Sequence, residues 1–145
     1  MDGTRANGGA AIGGGVVQGL GLDLVEVRRI EAVIGKQGEK FLRRVFTEGE
    51  REYCGAKAQP AVFYAARFAA KEAVAKAFGT GIGAAIGWLD IEVVRNELGA
   101  PQVRLWAKGA ELAANRRVAR VLLSLTHTGG MAAASVVLIA GEAAH

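Results

Sequence analysis

Three groups of residues in this 145-residue chain have the types and spacing to do chemistry. The first is Asp23, which lies in an alternating stretch, VVQGLGLDLV at 16–25, that reads as a strand with Leu20, Leu22 and Leu24 on one face and Gly19, Gly21, Asp23 and Val25 on the other. Aspartate is depleted in strands, and a charge on a largely buried surface is costly unless it is paired or metal-bound. The two glycines on its face leave room for a ligand or for another backbone. The second group is Glu72 and Lys76, one helical turn apart in RFAAKEAVAKAFGTGIG at 67–83. Alone they form a favourable pair worth about 0.2–0.5 kcal/mol on an exposed helix. Together with Asp23 they offer two carboxylates and a cation, a set that suits a hard ion such as Mg2+, which completes its octahedron with water and substrate phosphate. Zinc is poorly served, because one cysteine and two histidines, one of them terminal, make a weak ligand set. The third group is His127 between Thr126 and Thr128, where an imidazole and hydroxyls beside a Gly-Gly turn either bind phosphate oxygens or are structural. Asp90 and Glu92, on one face of a predicted strand at 88–95, are a rival metal pair or solvated charges.

The elements that must position these groups follow from periodicity and punctuation. Pro60 suits the first position of a long helix running to Phe78, and Gly79 is a left-handed cap. Ala66, Ala69, Ala70, Ala73 and Ala77 let that helix approach a sheet closely. The GTGIG loop follows a helix instead of opening one, so it matches no nucleotide-loop motif and reads as a stop and tight turn. Helices are predicted over 26–34 and 39–46, and Thr47 with Glu50 has the form of a capping box opening TEGEREYCGA. A strand at 88–95, a turn at 96–101 and a strand at 102–106 form a hairpin; a helix at 107–117 and strands at 118–128 and 131–140 around Gly129-Gly130 follow. Without strict alternation of strand and helix, this is an α+β domain with a mostly antiparallel sheet packed against a long central helix.

Composition narrows the function classes. Eighteen basic against fourteen acidic residues give a formal charge of +4 and a pI near 9.6, which favours an acidic partner. Arg28, Arg29, Lys36, Lys40, Arg43 and Arg44 concentrate that charge early in the chain, either as a solvated helix face or as a docking surface. Residues 1–15 hold six glycines and read as a flexible leader to a single domain at 16–145. A lone cysteine, Cys54, reads as a buried or half-buried thiol and fits a reducing compartment. No secretory signal and no apolar run of membrane-spanning length is present, so a cytoplasmic protein is expected.

GLGLDLVEVRRI, RFAAKEAVAKAFGTGIG, the LDIEV to GAPQV hairpin and SLTHT, in that order from Gly19 to about Ala140, resemble the holo-acyl-carrier-protein synthases, the small bacterial 4'-phosphopantetheinyl transferases. The resemblance implies transfer of the 4'-phosphopantetheine arm of coenzyme A to a serine hydroxyl of an apo acyl carrier protein, releasing adenosine 3',5'-bisphosphate. It implies that Asp23 and Glu72 hold Mg2+ and that Glu72, directly or through a water, takes the serine proton. Lys76 would stabilise charge at the pyrophosphate. Arg67, Thr126 and His127 would bind coenzyme A phosphates, and Gly79, Gly81 and Pro101 would shape the cleft walls. Arg28, Arg29 and Arg44 would meet the acidic carrier. It further implies a homotrimer with sites between neighbouring protomers. Two other readings remain at this stage: a basic nucleic-acid-binding module, which needs a basic stripe interleaved with exposed aromatics, and a non-catalytic assembly protein, which would have no use for Asp23, Glu72 and Lys76 together.

Overall fold

The computed structural model describes residues 15–141. In chain order the elements are β1 (Val17–Glu26), α1 (Val27–Gln37), α2 (Glu39–Val45), α3 (Glu48–Gly55), α4 (Pro60–Phe78), a 3-10 turn (Trp88–Asp90), β2 (Ile91–Arg95), β3 (Pro101–Leu105), α5 (Ala107–Asn115), β4 (Val118–Thr128) and β5 (Met131–Ala140). The strands form an antiparallel three-stranded sheet of order β1-β5-β4 and a separate antiparallel pair, β2-β3. This is the α+β arrangement expected from the sequence. The predicted leader at 1–15 and the frayed end at 141–145 fall almost wholly outside the described residues.

The sheet and α4 touch backbone to backbone. A Cβ added at Gly21 would sit 1.9 Å from the Ala73 carbonyl oxygen, and one at Gly19 would sit 2.2 Å from that of Ala77. Only glycine fits at such an approach. The room beside Asp23 is therefore taken by another backbone. On the other side of the contact Ala66, Ala69, Ala70, Ala73 and Ala77 are all buried. From the sheet, Ala132, Ala134, Val136 and Leu138 of β5 complete the layer. The leucines of β1 point the other way: Leu20, Leu22 and Leu24 are 62–70% exposed, so the small-residue face is the one that packs inward.

Local signals hold at several ends. Pro60 opens α4 and Gly79 closes it at φ 80°, ψ 7°. Thr47 and Glu50 form the reciprocal capping box at the start of α3. Two expectations need correction. The strand predicted at 88–95 begins only at Ile91, because Trp88–Asp90 turns as a 3-10 helix closed by the Asp90 carboxylate, which accepts a 2.8 Å hydrogen bond from the Gly87 N–H. Asp90 and Glu92 thus do not form a metal pair on one strand face. Glu92 instead accepts from Thr47 Oγ1 at 2.7 Å and Trp106 Nε1 at 3.0 Å. The helix predicted at 107–117 ends at Asn115, and Arg117 turns the chain at φ 57°. Among the described residues no helix is long and apolar enough to cross a membrane.

Candidate active site

β1 and α4, locked together by their small residues, bring Asp23 and the Glu72/Lys76 turn side by side. Lys76 Nζ donates to Asp23 Oδ1 at 2.8 Å and to the Leu22 carbonyl at 3.2 Å. Its side chain stays 53% exposed against 13% for Asp23, so the pair opens toward solvent. Lys76 does not ion-pair with Glu72, its i, i+4 neighbour, although both are on one helix side. The hydrogen bond and charge of Asp23 hold the Lys76 ammonium above the ordinary lysine range, so it persists as a cation. Burial pushes the Glu72 carboxyl up, and the negative charge of Asp23 pushes it further; Lys76 and Arg29 oppose this. A half-buried carboxylate whose ionisation is opposed by a second carboxylate beside it belongs to a donor set that a divalent cation would relieve. Among the described residues there is no group of three or more His, Cys, Asp or Glu placed to hold a metal. Two carboxylates beside a phosphate-bearing substrate fit Mg2+, which keeps several water ligands, better than a zinc cage.

Arg67 lies on the other side of α4. At 3.6 residues per turn it is about 140° around the helix from Glu72 and about 180° from Lys76. Its side chain is 1% exposed and its Nε has no hydrogen-bond partner. The guanidinium stacks 4.4 Å from the centroid of Tyr53, a ring that Lys57 and Arg95 also approach, at 4.4 and 5.1 Å. Tyr53 meets Phe63 edge-on at 6.1 Å, and Phe63 faces the exposed His127 at 6.3 Å. Arg95 also donates to the Gly99 carbonyl and sits opposite Pro101 in the β2-β3 ladder. Arg67, His127 and Pro101, far apart in sequence, thus belong to one cation-aromatic strip. A groove of about 1370 Å³ runs beside it, lined by Lys57, Phe63 and His127 together with Val27, Glu31 and Arg51. Asp23, Glu72 and Lys76 do not line that groove. The chain therefore carries a carboxylate half and a cationic half that face different ways.

The remaining sequence candidates are spread around these halves. Gly79 and Gly81, both at positive φ, continue from the Lys76 end of α4. Thr126 is exposed on β4, one residue from His127. Arg28, Arg29 and Arg44 are all exposed; Arg28 lies 3.8 Å from Glu26, Arg44 hydrogen-bonds Gln37 at 3.2 Å, and Arg29 acts on Glu72. Sequence reading missed Tyr53, Lys57 and Arg95, whose spacing shows nothing until α3, α4 and β2 are packed. It also missed Lys71, which forms a 2.8 Å ion pair with Glu50, both side chains 0% exposed. The available signal was that Lys71 follows Arg67 by four residues, setting two cations on one side of an otherwise apolar helix. Cys54 is fully buried, as expected, and burial pushes its thiol up to about 12 against the pull of Arg67, Lys57 and Arg95.

Residues 19–134 match the family model described as the 4'-phosphopantetheinyl transferase superfamily. The chain belongs to that superfamily. A holo-(acyl-carrier-protein) synthase of Anaeromyxobacter dehalogenans (strain 2CP-C) is 49% identical over 126 residues, covering 85% of this chain and 96% of that one. One from Geobacter metallireducens is 42% identical over 123 residues, covering 85% and 98%. Among solved structures, the Neisseria meningitidis synthase aligns with a TM-score of 0.80 at 32% identity over 85% of this chain and 98% of that one. The Helicobacter pylori synthase, solved in complex with coenzyme A, aligns at 0.74 with 32% identity over 82% and 98%. The fold of this phosphopantetheinyl transferase is thus that of solved synthases, including one that binds coenzyme A.

Proposed function

We propose that this chain transfers the 4'-phosphopantetheine arm of coenzyme A to a serine hydroxyl of an apo acyl carrier protein, with Mg2+ held by Asp23 and Glu72. The observation that carries the site assignment is the meeting of Asp23, Glu72 and Lys76 at an open edge of the β1-α4 contact. Bound there, Mg2+ would polarise the attacked phosphoryl group and neutralise charge on the leaving phosphate. Glu72 takes the serine proton as the serine oxygen bonds to phosphorus. The bond to the bridging pyrophosphate oxygen breaks, and adenosine 3',5'-bisphosphate leaves with the electron pair. Lys76 places a fixed positive charge at the pyrophosphate, where negative charge develops. Arg67, Thr126 and His127 bind coenzyme A phosphate oxygens in the same cleft, with Gly79, Gly81 and Pro101 at the walls. Exposed Arg28, Arg29 and Arg44 dock the acidic carrier, Arg29 nearest to the reacting groups.

A single chain presents its carboxylate half and its cationic half on different sides of α4, so one co-substrate molecule spanning both needs a second copy. The exposed stripe of Leu20, Leu22 and Leu24 gives such copies an apolar face to bury. Both features support sites that lie between protomers, as in the homotrimer that the family resemblance implies. The buried thiol of Cys54 suits the cytoplasm. Incubation with coenzyme A, Mg2+ and an apo carrier, read by mass spectrometry, is expected to add one phosphopantetheine to the carrier. No adduct on any apo carrier tried would overturn the activity. Sedimentation as a monomer at assay concentration would overturn the shared site.

A further inference from the structure

We infer that Lys71 and Glu50 are positioning residues for the metal site: their buried pair fixes the rotation of α4 about its own axis, and so the place of Glu72 beside Asp23. The inference rests on the proposed reading of Asp23 and Glu72 as metal ligands and adds two residues that contact neither metal nor substrate. α4 meets β1 through small residues, with Ala73 against Gly21 and Ala77 against Gly19. Such a face brings backbones close, but it has no long side chain to key into a groove, so it resists rolling weakly. Tyr64, Val74 and Phe78 pack elsewhere along the helix, yet apolar burial is non-directional. At about 100° per residue, Lys71 lies about 160° around the helix from Ala73, and Glu72 lies about 100° from each. The sheet thus holds one side of α4 and Lys71 holds the opposite side, with Glu72 on the flank between them.

The hold at Lys71 is directional. An ammonium has three protons, and this one meets three acceptors: Glu50 Oε1 at 2.8 Å, the Trp88 carbonyl at 2.9 Å and the Ile91 carbonyl. They belong to α3, the 3-10 turn and β2, so the anchor points lie outside α4. Glu50 is fixed in turn by the Thr47 amide at 2.9 Å and the Val93 amide at 2.7 Å. A buried ion pair often adds no net stability over an apolar pair of similar volume, and its best-attested use is to set register. Register matters here because Mg2+ demands near-ideal octahedral geometry from few protein ligands. A group about 5–6 Å from a helix axis moves about 1 Å for a roll of about 10°. Misplacement by about that distance can lower a rate about a hundredfold.

Mn2+ is the probe, read by loss of its free-ion paramagnetic resonance signal on the full chain saturated with coenzyme A. The apolar replacement Lys71→Met/Glu50→Leu removes the clamp without leaving a lone buried charge. It is expected to weaken Mn2+ about tenfold, the usual effect of losing an outer partner of a metal ligand, while thermal unfolding still shows a folded chain. Glu50→Gln keeps the side-chain shape and should weaken Mn2+ in the same direction, and it decides the matter if the double variant does not fold. Leu112→Ala, a truncation of core packing on α5, controls for lost stability and should leave Mn2+ binding unchanged. Wild-type affinity in the clamp variants, or an equal loss in Leu112→Ala, would overturn the assignment. Failure of the underlying reading shows differently: wild-type Mn2+ binding no tighter than that of Glu72→Ala would overturn the metal site, and the clamp with it. An absent carrier adduct with these Mn2+ differences intact would condemn the transfer reaction alone.

Discussion

Two lysines on one helix, Lys71 and Lys76, each form a 2.8 Å ion pair with a carboxylate from a distant segment, and the two pairs do opposite things. Lys71 and Glu50 are both 0% exposed, and each makes further hydrogen bonds to backbone groups around it. Lys71 also donates to the Trp88 carbonyl at 2.9 Å and to the Ile91 carbonyl, while Glu50 accepts from the Thr47 and Val93 amides at 2.9 and 2.7 Å. That network ties α3, α4 and the start of β2 together and has no capacity left for a ligand. Desolvation lowers the Lys71 pKa, and the Glu50 charge and hydrogen bond resist this. Lys76 and Asp23 have the same separation at a half-open edge, with Glu72 beside them and lone pairs to spare. Distance does not separate scaffold from candidate site here; the number of unused donors and acceptors does.

The comparison can be broken most forcefully at the buried pair. Lys71→Met leaves the Glu50 carboxylate without its counter-ion inside the core and is expected to cost about 3–5 kcal/mol in chemical denaturation. Adding Glu50→Leu should recover only part of this, because the Thr47 and Val93 amides lose their acceptor. At the open pair the balance reverses. Asp23→Ala should lower transfer by at least about a hundredfold, about 2.7 kcal/mol, yet change unfolding free energy by less than about 1 kcal/mol. Wild-type turnover would remove Asp23 from the metal site, and a large stability loss would make it scaffold. Farther from the chemistry, Arg29→Glu should raise the KM for the carrier by about tenfold with little change for coenzyme A. Parallel changes would mean that Arg29 acts through Glu72 and not through docking. The smallest test concerns Cys54. Its folded pKa of about 12 exceeds the ordinary thiol value of 9.0, so the native state keeps a proton that the unfolded chain releases. Its contribution is fully present below pH 9 and is lost as pH rises from 9 toward 12, by about 1.4 kcal/mol per unit. The difference between wild-type and Cys54→Ala unfolding curves across that range isolates it, and a constant difference would show a thiol less buried than its packing indicates.

Much of the carboxylate half was legible in the chain because its cues are local or compositional. Asp23 stood out as a charge in a glycine-flanked strand, and Glu72 and Lys76 were one turn apart on a helix whose start and stop Pro60 and Gly79 declare. Which face of β1 packs inward was not legible, since alternation alone favours burying Leu20, Leu22 and Leu24. The backbone contact at Gly19 and Gly21 decides for the small residues. Nor was the strand start at Ile91, where a side-chain cap by Asp90 competes with extension.

By itself, the sequence determined the family and the element order and singled out Asp23, Glu72 and Lys76 as candidates, because short-range periodicity, turn chemistry and motif spacing are written along the chain. Only the tertiary structure decided that Lys76 pairs with Asp23 instead of Glu72, and that Lys71 is sealed against Glu50. It alone gathered Arg67, Lys57 and Arg95 around Tyr53. Those outcomes depend on which faces of separate elements meet and how much water is left between them, and neither quantity is encoded at any one stretch of sequence.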